Sequence, residues 1–280
     1  MPAQSETPPG PELLWEVGEE GVARMTLNRP RAGNSITPGQ RQQIIARLAE
    51  ASADPRVRAI VLTGEGDRHF CTGADLGAPA ADAPPPPEDM PDNPAGSVTR
   101  AIAGGAQRMI SAVLDCEKPV IAAVNGTAAG IGCHLAYACD LVLAADNAKF
   151  IEVFARRGLV VDGAGAYLLT RLVGPQRAKE LVFFGDDLPA ADAERLGLVN
   201  RVVPADELAK TAADWAARLA AGPTVALGLG KRLINRALDG DRAASLAEEA
   251  MAAEINMTSE DGQEGLRAFL ERRAPRFRGW

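Results

Sequence analysis

Residues 118–174 determine the fold, and they read KPVIAAVNGTAAGIGCHLAYACDLVLAADNAKFIEVFARRGLVVDGAGAYLLTRLVG. The continuous apolar run at residues 119–124 predicts a strand that is covered on both faces. A Gly-rich turn at residues 125–132 leads into a short helix, and residues 141–145 form a second apolar strand. A loop with one acidic residue, Asp162, follows. Because backbone N–H groups at the start of a helix can hold a developing oxyanion, this turn is a candidate for chemistry.

Short strands alternate with helices on both sides of this stretch, which predicts the α/β class. Residues 21–27 alternate in the manner of a strand. A helix over residues 38–53 begins with Thr37 as its N-cap and Pro38 at its first position. From about residue 206 onward the pattern is helical only.

We therefore expect three regions in the chain. They are a disordered tail at residues 1–12, a strand-bearing core at residues 13–205 and a helical C-terminal domain at residues 206–280. Within the core, residues 77–97 are rich in Pro, Ala and acidic residues without an apolar period, which predicts a mobile surface loop. Residues 98–114 return to helical spacing.

Composition and charge argue against several classes of protein. The net charge of −7 gives a nucleic-acid partner no electrostatic support. No apolar run reaches the length of a membrane span, and the N-terminus lacks the apolar region of a signal peptide. Four cysteines without a CxxC pair, together with only two histidines, argue against a zinc site and fit free thiols. We expect a cytoplasmic protein without a metal ion.

Arginines gather at the C-terminus, and two interpretations remain open for them. One is a solvated helix face, and the other is a local site for an anionic ligand. The residues concerned are Arg267, Arg272, Arg273, Arg276 and Arg278.

The Gly-rich turn does not match the spacing of the G-x-G-x-x-G motif, nor the P-loop with its Gly-Lys-Ser/Thr ending. It can simply be a tight turn that packs a helix close to a sheet. A second turn is predicted at residues 70–76, where Gly73 and Ala74 are both small. Two such turns can each offer one N–H group to a single oxygen, which would form an oxyanion hole.

Two polar side chains in the stretch each have a structural and a chemical interpretation. His134 lies in the helix after the Gly-rich turn, and it is either a hydrogen-bonded packing residue or a catalytic group. Asp162 precedes a helix, and it is either an N-cap or a general base whose pKa is raised by burial.

Several motifs in fixed order resemble the crotonase (enoyl-CoA hydratase/isomerase) superfamily, and the resemblance covers nearly everything after the tail. The motifs are NRPRAGN at residues 28–34, FCTGADL at 70–76, KPVIAAVNG at 118–126, ACD at 138–140, RLVG at 171–174, AERLGLV at 193–199 and FLERRAPRF at 269–277.

The resemblance implies a spiral of ββα units with a helical C-terminal domain that builds homotrimers, which often pair into hexamers. It implies an acyl-CoA thioester as substrate, with no separate cofactor. The thioester oxygen would lie between the N–H groups of Ala74 and Ile131. Arg276, Phe277 and Arg278 of a neighbouring subunit would help to hold the phosphates. The implied substrate-binding residues are Arg31 and Ala32 near the adenine, together with Asp75, Leu76, Gly130 and Phe154.

Departures from the family pattern bear on the reaction. Hydratases of this family carry two glutamates, which would fall at His134 and Phe154 here. Asp162 matches the aspartate that shuttles a proton in the ring-1,2-epoxyphenylacetyl-CoA isomerase and dienoyl-CoA isomerase branches, although Val161 and Gly163 replace the Pro and Ser often found beside it. Glu152 is an alternative acid that would share a face with Phe154 if this segment is a strand.

Three hypotheses follow for the function. The first is an acyl-CoA isomerase with Asp162 as its base and His134 as a second catalytic residue, whose role is substrate orientation, proton donation or another reaction altogether. The second is a hydratase or hydrolase-like enzyme in which His134 positions or activates water. The third is an acyl-CoA binder without catalysis. Phe154, with Val153 and Tyr167 near it in sequence, suggests an apolar acyl pocket.

Overall fold

A computed structural model describes residues 10–78, 87–91 and 94–280 of this chain. The predicted tail lies outside the described residues up to residue 9, and the predicted loop at 77–97 lies partly outside them. Glu12, which was assigned to the tail, is held by the core. Its carbonyl accepts hydrogen bonds from the Asn28 N–H (2.7 Å) and from Gln40 Nε2 (2.8 Å). The ordered core therefore begins before residue 13.

In the described parts of the chain, ten strands form two sheets. The larger sheet is parallel except for the antiparallel pair β1–β2. In spatial order it contains β1 (Leu13–Val17), β2 (Val22–Leu27), β3 (Ala59–Gly64), β5 (Val120–Val124), β7 (Leu141–Ala145) and β10 (Arg201–Val203). The smaller sheet contains β4 (His69–Cys71), β6 (Thr127–Ala129), β8 (Lys149–Ile151) and β9 (Leu188–Pro189).

From β3 to β8, successive strands alternate between the two sheets, and helices follow the pairs. β3 lies in the large sheet and β4 in the small one, and the pairs β5–β6 and β7–β8 repeat this arrangement. Parallel neighbours need a crossover connection, which the helices supply. This arrangement is the spiral of ββα units that the sequence predicted.

Burial explains why the central strands read as continuous apolar runs. All five residues of β5 are buried, because helices cover one face of the large sheet and the small sheet lies beyond its other side. The two short strands β4 and β6 lie within segments that the sequence assigned to turns. Those assignments were wrong, because strands of three residues are too short to show a period.

Ten α-helices are present among the described residues. Thr37 caps the first of them as predicted, because its side chain accepts a hydrogen bond from the Gln40 N–H (3.0 Å). The helices are α1 (Pro38–Ala53), α2 (Ser97–Ala101), α3 (Arg108–Asp115), α4 (Ile131–Tyr137), α5 (Gly165–Phe184), α6 (Ala190–Arg195), α7 (Leu208–Ala220), α8 (Thr224–Ala237), α9 (Arg242–Thr258) and α10 (Glu260–Leu270).

The helix predicted over residues 98–114 is interrupted by a π-helical segment, Ile102–Gln107. This segment passes close to α1, because a Cβ on Gly105 would lie 2.6 Å from the guanidinium of Arg41. Glycine at this position therefore lets the arginine lie directly on the backbone.

Every element after β10 is helical, in agreement with the pattern predicted from about residue 206 onward, but these helices differ in what they pack against. Helix α7 packs on β3, β5 and β7, whereas α8, α9 and α10 pack on one another in sequence order. The chain therefore leaves the sheet after α7.

One buried cation joins α8 to the core. Lys231 donates to the Val113 carbonyl (2.9 Å) and pairs with Asp140 (2.9 Å) at the start of β7. Burial raises the pKa of Asp140, and the ammonium of Lys231 opposes that rise. A charge in this position requires its partner, because an unpaired buried ion is strongly destabilising.

Candidate active site

Two small-residue turns lie against each other, one in each of two successive ββα units. β4 and β6 are parallel neighbours, so their following turns leave the small sheet side by side. A Cβ on Gly73 would lie 3.3 Å from the Ala129 carbonyl oxygen, and a Cβ on Gly132 would lie 2.1 Å from the Cys71 carbonyl oxygen. The glycines therefore allow a backbone approach that other residues would prevent.

Each turn contains an N–H group for which no acceptor is found among the described residues. The Ile36 N–H donates to Gly73 (2.8 Å) and the Asp75 N–H donates to Ile36 (2.9 Å), which fixes the backbone around Ala74. Ile131 opens α4 after Gly130, whose φ of 53° and ψ of −124° only glycine adopts readily. The two N–H groups of Ala74 and Ile131 thus stand on neighbouring turns.

His134 is completely buried and is contacted on several sides. Its ring stacks on Phe154, with centroids 5.4 Å apart and planes 6° apart. A Cβ on Gly165 would lie 2.3 Å from the ring atoms Cε1 and Nε2, so α5 begins against the imidazole. The two positions where the family pattern has glutamates are therefore filled by one stacked aromatic pair.

Glu152 is the polar partner of His134, a contact that the sequence pattern did not predict. Its Oε2 lies 3.0 Å from His134 Nε2, and only 3% of the residue is exposed. It follows β8, whose last carbonyl, on Ile151, accepts from the Gly130 N–H (2.9 Å). The sequence did contain a signal for this contact, namely an acid directly after the short strand β8. A buried histidine needs a buried hydrogen-bond partner, and Glu152 is placed to provide it.

Asp162 is not the N-cap of α5, so that interpretation was wrong. Ala164 occupies the cap in the left-handed region, and the Gly165 N–H donates to the backbone carbonyl of Asp162 (3.0 Å). No donor to the Asp162 carboxylate is found in the part of the chain that the structure describes. Burial raises the pKa of this carboxyl group, and the nearby His134 opposes the rise.

The 3₁₀ turn Pro30–Ala32 carries Arg31 and Ala32, both exposed. This turn adjoins the Gly73–Ala74 turn, because the Thr72 N–H donates to the Gly33 carbonyl (3.0 Å). The exposed Arg31 side chain is therefore near the turn that carries Ala74.

Asp75 and Leu76 differ in how they are held. Asp75 pairs with Arg29 (2.7 Å) and also accepts from the Gly77 N–H (3.1 Å). The Arg29 guanidinium lowers the pKa of Asp75. Asp75 therefore anchors the turn around it, whereas Leu76 is 78% exposed.

The ring of Tyr167 packs against the hydrophobic core, and its hydroxyl has a polar partner. Its hydroxyl donates to Asp239 (2.7 Å), and the Arg171 guanidinium lies 3.6 Å from its ring centroid. Tyr167 therefore connects α5 to the end of α8.

Two of the C-terminal arginines already have carboxylate partners, and Arg267 lies 3.4 Å from the Glu264 carboxylate. Arg273 binds the Glu264 carboxylate (2.6 Å) and Glu271 (2.6 Å), and this pairing lowers the pKa of Glu264 to about 2. The backbone N–H of Arg276 also donates to Glu264 (3.0 Å). Arg273 is therefore part of a surface ion-pair network.

No cluster of three or more potential metal ligands occurs within the described ranges. The four cysteines are all free and buried, and burial raises the pKa of Cys71 to about 12. A thiol of this kind is a poor nucleophile. Among the helices that the structure describes, none combines the length and the apolar character that crossing a bilayer requires.

Comparisons with known proteins agree on one family. The family model described as Enoyl-CoA hydratase/isomerase matches residues 17–279. The 1,2-epoxyphenylacetyl-CoA isomerase of Escherichia coli (strain K12) is 37% identical over 96% of this chain and 99% of that protein. The crotonyl-CoA hydratase of Syntrophomonas wolfei is 34% identical over 92% of this chain and 95% of that protein. The crystal structure of an enoyl-CoA hydratase from Bacillus anthracis has a TM-score of 0.84 and 31% identity, and the match covers 96% of this chain and 100% of that one.

Proposed function

Because this chain belongs to the enoyl-CoA hydratase/isomerase family, we propose that it moves a double bond in an acyl-CoA thioester with Asp162 as its single base. The family assigns it to enzymes that act on acyl-CoA. Two features together support the finer proposal. His134 and Phe154 stack on each other where the family pattern has glutamates, and the nearby Asp162 carboxylate has no donor among the described residues.

One carboxylate is sufficient for the migration of a double bond. In a 3-enoyl thioester, Asp162 takes a proton from the α-carbon, and the C–H electron pair enters a dienolate. The N–H groups of Ala74 and Ile131 stabilise the negative charge on the thioester oxygen. Asp162 then returns the proton to the γ-carbon. The double bond between the β- and γ-carbons is lost, and one between the α- and β-carbons forms.

Substrate binding follows from the exposed elements beside the Ala74 turn. Arg31 and Ala32 are proposed to lie along the adenine end of coenzyme A. The enzyme needs no further cofactor for this chemistry, because coenzyme A belongs to the substrate.

A screen of acyl-CoA thioesters in deuterated solvent tests the proposal. We expect deuterium at the α- and γ-carbons of an enoyl thioester, without the gain in mass that hydration gives. Hydration without exchange at the γ-carbon would contradict the isomerase assignment. Tight thioester binding without either reaction over a broad panel would instead identify a non-catalytic binder.

Hydration is the second candidate, and a specific contact favours it. The pair His134–Glu152 places an acid and an imidazole together next to Gly165. Several relatives also carry hydratase names, including the crotonyl-CoA hydratase described above. Water added to crotonyl-CoA by the wild type, and lost in His134→Ala, would support this candidate.

The pH dependence of kcat/KM follows from the ionisation of Asp162. A general base must be deprotonated, so activity falls as the pH drops through the pKa of this group. Burial raises that pKa, and we therefore expect the acid limb to lie above the ordinary aspartate value of 3.8. A pH profile of isomerisation measures the limb. A midpoint at or below 3.8 would contradict the role of Asp162.

The proposed assembly is a homotrimer or a dimer of trimers. Phe183 and Phe184 are each 66% exposed, and Phe269 and Leu270 are 79% and 72% exposed in the single chain. A soluble monomer seldom exposes several large apolar side chains, so another copy is expected to cover them. Sedimentation at micromolar concentration should give the mass of three or six chains, and a monomer mass would refute the assembly.

A further inference from the structure

The buried pair His134–Glu152 has two polar atoms without partners. His134 Nδ1 and Glu152 Oε1 are both inaccessible to solvent, and neither has a hydrogen-bond partner among the described residues. The other atoms of the pair meet at 3.0 Å. Nδ1 is directed toward the loop that carries Asp162, because a Cβ on Gly163 would lie 3.5 Å from it.

The charge of the pair restricts where its proton lies. A glutamate anion beside a neutral imidazole would leave one uncompensated buried charge, which is unfavourable. Two arrangements avoid this without placing an acidic proton on Glu152 Oε1, where no acceptor is found among the described residues. In one, an imidazolium faces a carboxylate, and both ring nitrogens carry protons. In the other, a protonated Glu152 donates to Nε2, and the neutral ring then carries its proton on Nδ1. Both arrangements place a proton on Nδ1.

The titratable groups around the pair do not supply a positive charge that would compensate a Glu152 anion. Burial raises the pKa of three of them, so they are neutral near neutral pH; these are Cys71 on β4 and Cys133 and Tyr137 on α4. Asp162, on the loop before α5, is partly exposed, so that solvent can stabilise its charge. The proton is therefore shared within the pair.

We propose that Glu152 is a positioning residue that keeps a proton on His134 Nδ1, so that this N–H, which faces the loop of Asp162, is available to donate to the Asp162 carboxylate in the substrate complex. The role toward Asp162 rests on the proposed function. A donor at this point favours the ionised carboxylate and orients it for proton removal. Glu152 itself does not touch the substrate in this scheme.

Nitrogen NMR of labelled histidine rings tests the protonation directly, without any turnover. The chain has two histidines, so the spectrum has two rings, and a His69→Gln variant assigns them. In the wild type near neutral pH we expect the chemical shift of a protonated Nδ1 for His134. A bare Nδ1 with its proton on Nε2 alone would overturn the proposal.

An apolar replacement of the pair tests its consequence for catalysis. The double variant His134→Leu, Glu152→Leu removes both polar groups together, and such replacements of buried ion pairs usually preserve folding. We expect kcat to fall about 10- to 100-fold, the loss of one hydrogen bond to a charged group. KM should change little. The acid limb should move to higher pH, because His134 no longer favours the Asp162 anion.

The outcomes separate the two proposals. If the wild type neither isomerises nor exchanges deuterium, the proposed function fails, and the NMR result still decides whether Nδ1 is protonated. If the wild type is active and the double variant keeps both its rate and its pH profile, the positioning role fails alone.

Discussion

Asp162→Asn is expected to abolish double-bond migration, with a loss of at least about 10³-fold in kcat, because a positioned acid–base group contributes about 10²- to 10⁴-fold. The amide has almost the size and shape of the carboxylate but cannot take a proton. Binding of the thioester should persist, since the N–H groups of Ala74 and Ile131 are untouched. The measurements are turnover of a 3-enoyl-CoA and titration calorimetry with the same ligand.

The fold around this position should tolerate the change. The start of α5 is held by the backbone carbonyl of Asp162, which asparagine retains. Asp214→Asn on the exposed side of α7 is a matched control for the same chemical change, and it should leave turnover unaltered. Unchanged turnover in Asp162→Asn would remove this residue from the mechanism.

Gly132→Ala is expected to have the second large effect. The added Cβ would lie 2.1 Å from the Cys71 carbonyl oxygen, far inside van der Waals contact. The clash is with backbone, so α4 must move away from the turn that carries Ala74. Overpacking of this kind costs about 1–3 kcal/mol of folding free energy. Displacement of one oxyanion donor costs about 10²- to 10³-fold in kcat.

Urea unfolding and steady-state kinetics measure the two effects separately. Gly230→Ala in α8 is the matched control, because a Cβ there meets nothing within 4 Å. That variant should keep its activity and gain about 0.5–1 kcal/mol, since alanine favours a helix. If Gly132→Ala retained full turnover, the two turns would not act together on the thioester.

Sequence patterns predicted the elements whose burial is uniform along their length. The run that forms β5 is apolar at each residue, and the Thr37 cap precedes a long helix, so both features are local. The small sheet was not predictable in this way. β4 and β6 have three residues each and are strands because of their pairing, β4 with β6 and β6 also with β8. Such pairing depends on the distant chain and not on local propensity.

The candidate site shows the same limit. Small residues marked both oxyanion turns, because close backbone approach requires them in any fold. The contact between His134 and Glu152 spans 18 residues and depends on how β8 ends against α4. The N-cap interpretation of Asp162 failed because Ala164 occupies the cap of α5 in a left-handed conformation. That conformation is uncommon for residues other than glycine, so local composition does not predict it.

The buried ammonium of Lys231 has a consequence for the order in which parts of this chain fold. Its partners come from the end of α3 and the start of β7, whereas the lysine itself belongs to α8. Neither side of this junction is complete without the other, so the C-terminal helices do not behave as an autonomous domain. We therefore expect the apolar helix faces to reach their final arrangement only on a chain whose sheets have already formed. Maturation of the single subunit is then expected to precede the proposed association with further copies.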